Sequence, residues 1–133
     1  MNYVAGFLFK NNDQLVALIE KKRPAWQAGR LNGIGGKIEA GESAPMAMRR
    51  EFMEEAGVHI YEWRLFAVLN FSGGSVYFFM ARGDFPLLSN TDEIVSWYPV
   101  ETIAALPTIP NLRWLIPLAI DKDQVFVTAA ERV

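Results

Sequence analysis

Gly36-Lys37-Ile38-Glu39-Ala40-Gly41-Glu42, then seven residues, then Arg50-Glu51-Phe52-Met53-Glu54-Glu55-Ala56-Gly57-Val58 is the stretch from which the rest of the chain can be read. Ser43 is suited to cap a helix whose first turn tolerates Pro45, and Gly57 supplies a C-terminal stop after Ala56. A helix turns by about 100° per residue, so with Glu51 at zero, Glu54 falls near 300° and Glu55 near 40°. The three carboxylates therefore share an arc of roughly 100° and are able to converge on one point.

Such crowding needs compensation. Glu51 and Glu55 are like charges one turn apart, which costs an isolated helix roughly 0.2–0.5 kcal/mol. No lysine or arginine stands four residues after any of the three glutamates; the one helical partner is Arg50, which can reach Glu54 in the weaker orientation. A divalent cation is the natural neutraliser, because Mg²⁺ takes oxygen ligands and commonly combines a few carboxylates with substrate phosphates. Met48, Phe52 and Ala56 repeat every four residues beside that arc and give the helix an edge to pack. Gly33, Gly35 and Gly36 allow close approach of backbone to a ligand, and a carbonyl there, Gly36 in particular, is a candidate member of a metal shell.

Outward from the helix, Tyr3 to Phe9 and Gln14 to Glu20 are short apolar, β-rich runs separated by the turn Lys10-Asn11-Asn12-Asp13. Lys21 to Ile34 reads as loop, broken by Pro24, Gly29 and Gly33. Val58 to Phe71 and Ser75 to Arg82 read as a second hairpin, joined through Ser72-Gly73-Gly74, with Ile94 to Val100 as another strand. Thr102 to Leu106 reads as a brief helical turn, Asn111 to Ile120 as a longer helix and Gln124 to Thr128 as a closing strand. Strands and helices mix without regular alternation, so the expected class is α/β with a mixed sheet flanked by helices.

The chain has 133 residues, which suits one domain over 1–133. Its net charge of −2 provides no global positive field for long nucleic acids or an anionic membrane. The absence of cysteine excludes disulfides and thiolate zinc sites and is compatible with a cytoplasmic setting. The N-terminal apolar run is too short to span a membrane and lacks the basic stretch of a secretory signal.

The quoted stretch resembles the Nudix box, G-x5-E-x7-R-E-U-x-E-E-x-G-U with U a bulky apolar residue, and every fixed position is present. At average residue usage a chance match is on the order of 10⁻⁸ per starting point. Phe52 is the only mild departure, aromatic where aliphatic residues are commoner. The resemblance implies a Nudix fold, a central mixed β-sheet sandwiched between helices with a loop-helix-loop box. It implies water attack on a diphosphate linkage with Mg²⁺, or Mn²⁺ in its place. Carried over residue by residue, Glu54 and Glu55 are expected metal ligands, Glu51 a ligand or general base, and Arg50 the partner that orients Glu51, with Glu42 supporting the loop or an outer metal. Related enzymes differ in their base, and some use an acid outside the box, for which Asp92 and Glu93 are the local candidates.

Lys21 to Lys37 is similar to the corresponding segment of Nudix enzymes that hydrolyse oxidised purine nucleoside triphosphates. By that likeness Asn32 helps to read the base, since an amide offers both donor and acceptor, although it also suits a turn. Asn111 occupies a second such place after Pro110 and equally suits a helix N-cap. Trp26, Phe71 and Phe78 are candidates for stacking on a base, with core packing as the alternative, while Trp97 and Trp114 are expected to pack. Arg23 and Lys37 are candidates for holding phosphate, against a reading of Lys21-Lys22-Arg23 as a solvated cluster. His59 has no partner in view and no assigned role. The implied reaction is hydrolysis of a nucleoside triphosphate, such as an oxidised purine deoxynucleotide, to the monophosphate and pyrophosphate. Nucleotide sugars, dinucleoside polyphosphates and capped RNA ends are rival substrates, and a non-catalytic Nudix-like sensor is the rival class. Oligomeric state is left open.

Overall fold

The computed structural model describes residues 1–131. Eight strands form one sheet: β1 (Asn2–Lys10), β2 (Leu15–Glu20), β3 (Leu31–Asn32), β4 (Ile34–Lys37), β5 (Arg64–Phe71), β6 (Gly74–Arg82), β7 (Ile94–Pro99) and β8 (Val127–Ala130). The helices are α1 (Ala44–Ala56) and α2 (Leu112–Ala119), with 3-10 turns at Ala25–Gln27 and Val100–Ala105. The main path runs β3-β2-β1-β6-β5-β8, with β4 joined to β1 and β7 to β2. Pairings β1–β6 and β5–β8 are parallel and the others antiparallel, so the sheet is mixed as expected.

The alternation of side chains along β1 and β2 explains the layers. Ala5, Phe7, Phe9, Val16 and Leu18 face one way and meet Leu112, Leu115, Ile116 and Ala119 of α2. Val4, Leu8, Ala17 and Ile19 face the other way and meet Ala47, Met48, Phe52 and Ala56 of α1. Both strands are thus covered on both faces, which is why they read as continuous apolar runs. Phe52 is fully buried and lies against Trp63 with ring centroids 5.2 Å apart, a burial that stabilises by roughly 1.5–3 kcal/mol. The box helix therefore docks through the apolar edge marked by its four-residue repeat.

Its ends behave as the sequence predicts. Ser43 Oγ accepts from the Met46 N–H at 3.3 Å, and Gly57 adopts a left-handed φ of 72° while its N–H donates to Met53 O. Asn11, Asn12 and Asp13 all adopt positive φ in the first hairpin turn.

Several expectations are revised by the structure. Part of the supposed loop 21–34 is ordered as a 3-10 turn and β3, while Ile34 to Lys37 forms β4; their backbones find partners in β2 and β1, which hydrophobic period cannot reveal. The residues from Val58 to Trp63 precede β5 without joining it, with the Trp63 indole N–H donating to Ile60 O at 3.0 Å. The closing strand is displaced to Val127–Ala130, where it pairs with Ala67 to Asn70. Asn111 stands at the N-cap of α2, but its side chain makes no capping bond.

The sheet branches along one side of β1. That strand pairs with β2 over Leu8 to Lys10 but with β4 over Tyr3 to Gly6, so the glycine-rich β4 takes the place beside β1 that β2 vacates. No helix among the described residues is long and apolar enough to cross a membrane.

Candidate active site

β4 runs along β1 so closely that a Cβ on Gly35 would collide with the Val4 carbonyl oxygen. The next residue, Gly36, lies under the box helix, where a Cβ would come within 2.5 Å of Glu51 Oε1 and 2.7 Å of Oε2. Glycine here makes the room that the Glu51 carboxylate fills. This links the two halves of the box: the turn is bare where the helix presents its first glutamate.

Arg50 holds the arrangement together. Its Nε and Nη2 donate to the two carboxylate oxygens of Glu42 at 2.6 and 2.8 Å, a bidentate pairing that fixes the guanidinium plane. Nη2 also donates to Lys37 O at 3.0 Å, and Nη1 donates to Glu51 Oε1 at 2.9 Å and to the Glu54 carboxylate at 3.4 Å. The expected orienting contact from Arg50 to Glu51 is therefore made. Glu42 reaches across the loop and also accepts from the Glu39 N–H at 2.9 Å.

Ionisation follows the same contacts. The Arg50 hydrogen bonds, then the Glu39 N–H, hold the Glu42 carboxyl down at about 2. Burial pushes the Glu51 carboxyl above its ordinary value, against the opposing pull of Arg50. Arg50 itself is raised, chiefly by its bonds to Glu42, and stays charged.

Glu54 is exposed. Glu55 accepts from the Thr91 hydroxyl at 2.9 Å, while the N–H groups of Leu88 and Asn90 donate to Ala56 O and Glu55 O, each at 2.9 Å. The stretch 88–93 thereby covers the C-terminal carbonyls of α1, which no intrahelical donor can satisfy. As the side chains stand, no three acidic or histidine residues among the described ones surround a single point: Arg50 draws Glu51 and Glu54 one way and Thr91 draws Glu55 another. The donor chemistry still fits magnesium, which keeps several waters and needs one or two carboxylates from the protein: Glu54 is exposed, and Arg50 holds Glu51 through Oε1 alone.

The residues outside the box are distributed unevenly. Glu93 is buried, its carboxylate accepting from Lys21 Nζ at 3.0 Å, Lys22 N–H at 2.6 Å and Arg23 N–H at 3.4 Å. Burial raises its carboxyl, but those donors outweigh it and the net shift is downward. The carboxylate is thus occupied as an anchor for the 21–23 segment, a role that sequence could not signal because its partners lie some seventy positions away. Asp92 is paired with Arg23 through two bonds of 3.1 and 2.6 Å, so Arg23 is not a free cation. Lys37 is exposed.

Asn32 is half-buried beside Ile19, with Oδ1 accepting from the Gly33 N–H at 2.7 Å and Nδ2 donating to Gln27 Oε1 at 3.0 Å. Asn111 Oδ1 is buried with no hydrogen-bond partner. The two segments meet through Leu31, whose N–H donates to Pro107 O and whose carbonyl accepts from Ile109 N–H. Trp26 is 63% exposed on the 3-10 turn, Phe78 lies in the core on the α2 side, and Phe71 packs near Tyr3. Trp97 is half-buried beneath Lys10, while Trp114 is 40% exposed rather than packed away. His59 stacks on Tyr61.

With the glycine turn and the Arg50 clasp on this mixed sheet described, comparison with known proteins shows that the NUDIX domain family matches residues 2–118. The chain belongs to the Nudix family. Among relatives, the Nudix hydrolase YvcI of Bacillus subtilis is 31% identical over 110 residues, covering 74% of this chain and 67% of that protein. The oxidized purine nucleoside triphosphate hydrolase of Danio rerio is 42% identical over 43 residues, covering 32% of this chain and only 28% of its own length. Among solved structures, one of MutT, from work on the Aliivibrio salmonicida and Vibrio cholerae proteins, superimposes with a TM-score of 0.77 at 26% identity, covering 90% of this chain and 95% of that one. These likenesses place the chain in the Nudix family and on its fold, while the match to the oxidized purine nucleoside triphosphate hydrolase spans less than a third of that relative.

Proposed function

We propose that this Nudix chain hydrolyses a nucleoside triphosphate to the monophosphate and pyrophosphate in a magnesium-dependent reaction, with an altered purine as the base. The observation that carries the reading is the Arg50 clasp, which seats Glu51 in the space left by Gly36 with Glu54 and Glu55 on the same side of the helix.

Glu51, Glu54, Glu55 and the Gly36 carbonyl would hold the ion. When bound, Mg²⁺ supplies charge neutralisation at the phosphates and lowers the pKa of a coordinated water. Arg50 keeps Glu51 oriented and Glu42 keeps Arg50 oriented. Glu51 takes the proton from the attacking water, in preference to Glu93, whose oxygens are already engaged by three donors. Lys37 is free to meet a phosphate; Arg23 does so only by giving up Asp92. For the base, the unpartnered oxygen of Asn111 calls for a donor, because a buried acceptor left unpaired costs about 1–3 kcal/mol. Asn32 has one N–H and one lone pair not used by Gln27 and Gly33, and Trp26 provides an exposed ring for stacking.

The test is magnesium-dependent product release across purine and pyrimidine triphosphates, their 8-oxo forms, nucleotide sugars, dinucleoside polyphosphates and capped RNA. Pyrophosphate from a triphosphate supports the reading. Turnover confined to another class moves the substrate, and no release from any member makes the chain a sensor.

A further inference from the structure

Gln27 is the one residue from Lys22 to Arg30 that is not exposed. Its backbone is tied on both sides, its N–H donating to Pro24 O at 2.9 Å and its carbonyl accepting from Arg30 N–H at 2.9 Å. The side chain turns inward to a single partner, Asn32 Nδ2 at 3.0 Å.

That contact decides something an isolated asparagine leaves open. The two ends of an amide are nearly equal in shape but opposite in hydrogen bonding, so an unrestrained Asn32 could present donor and acceptor to a ligand in either order. Gly33 N–H can donate only to an oxygen and therefore takes Oδ1, which turns Nδ2 toward Gln27 Oε1. A flipped Asn32 amide would set two N–H groups against each other at Gly33, and would keep its bond to Gln27 only if the Gln27 amide turned as well. With one N–H and one lone pair so occupied, the remaining N–H and lone pair are left in a fixed order.

We propose that Gln27 is a specificity-determining residue: with the Gly33 N–H holding Oδ1, Gln27 holds Asn32 Nδ2, and the two together lock the order of donor and acceptor that Asn32 shows to the base. The ligand edge that matches is an acceptor beside a donor in the complementary order, as on purine edges, and a base with that order reversed is rejected. The proposal rests on the reading of Asn32 as a base contact.

The experiment uses Gln27→Met, similar in length but without the acceptor, and Gln27→Glu, which keeps an acceptor oxygen at neutral pH. Calorimetry gives the affinities for dGMP, 8-oxo-dGMP, dAMP and dTMP, which are not hydrolysed, while kcat and KM are taken on the matching triphosphates. Gln27→Met should compress the ratio between the tightest and weakest of the four by roughly fivefold, the scale of one neutral hydrogen bond. The loss should appear in KM rather than kcat, and Gln27→Glu should restore the ratio. Melting curves check the fold, and Gln27→Ala repeats the measurement should the methionine variant fail to fold. A wild-type ratio in Gln27→Met alongside a collapsed ratio in Asn32→Ala overturns the role of Gln27 and leaves the base reading standing. A wild-type ratio in Asn32→Ala overturns both.

Discussion

A single methyl group at Gly36 separates the chemistry of this site from the stability of its fold. Gly36 is not among the glycines with left-handed backbone, so alanine is compatible with the local conformation. The added Cβ would lie 2.5 Å from Glu51 Oε1 and 2.6 Å from its Cδ, where ordinary contact begins at 3.4 Å. The atoms it meets are the far end of a flexible side chain, so the carboxylate retreats and the strand pairing survives. A retreat of about 1 Å in a reacting group costs on the order of 10²-fold in rate, or about 2.7 kcal/mol in the barrier. Loss of one glycine from the unfolded chain offsets part of any strain, by about 0.4–1 kcal/mol. Gly36→Ala should therefore melt within a few degrees of wild type, bind Mn²⁺ more weakly by electron paramagnetic resonance, and release pyrophosphate about a hundredfold more slowly. Gly35→Ala gives the opposite pattern, because its Cβ meets the Val4 carbonyl, which has nowhere to go; that variant should lose stability first. Wild-type turnover in a folded Gly36→Ala would refute the claim that the reaction depends on Glu51 lying against Gly36.

Glu54→Gln should lower kcat by at least about 10²-fold at unchanged stability, as expected for loss of a metal ligand; near-normal turnover in a folded protein removes Glu54 from the site. Glu93→Ala should act through stability, at about 2–3 kcal/mol and roughly 10 °C in melting temperature, because it leaves Lys21 and two N–H groups without their acceptor; loss of rate with an unchanged melt would instead restore Glu93 as the base. Since the folded pKa of Glu93 is depressed, its contribution is complete above the ordinary value of 4.5 and is lost as pH falls through the lower folded value, which urea titrations at stepped pH in wild type and Glu93→Gln will show. Glu42 obeys the same sign, so carboxyl resonances should show it ionised until about pH 2. A midpoint near 4.5 would mean the Arg50 clasp is open in solution.

Much of the molecule is legible in its sequence because it is local. The helix, its Ser43 cap, its Gly57 stop and its glutamate arc depend on residues within a few turns of one another, and β1 and β2 declare themselves by unbroken apolar character. β4 is hidden because four residues containing two glycines carry no period, and its partner is β1, about thirty positions away. The roles of Glu93 and Asp92 are hidden for the same reason: both sit just before a strand with nothing nearby to pair them, and their partners lie in the three residues that follow β2. Asn111 has the residue type and position of an N-cap, yet its oxygen is buried away from the helix N–H groups, a rotamer outcome that composition does not encode.

The stretch 88–93 has a mechanical meaning beyond its individual bonds. At one end it closes the carbonyls of Glu55 and Ala56, and at the other it grips the backbone of Lys22 and Arg23. Helix α1 and the segment that follows β2, far apart in sequence, are thereby joined through one stretch of chain. In native-state hydrogen exchange the amides of Leu88, Asn90 and Lys22 should open together, with one free energy and one denaturant slope, so that the last turn of the box helix cannot loosen without loosening the 22–23 backbone.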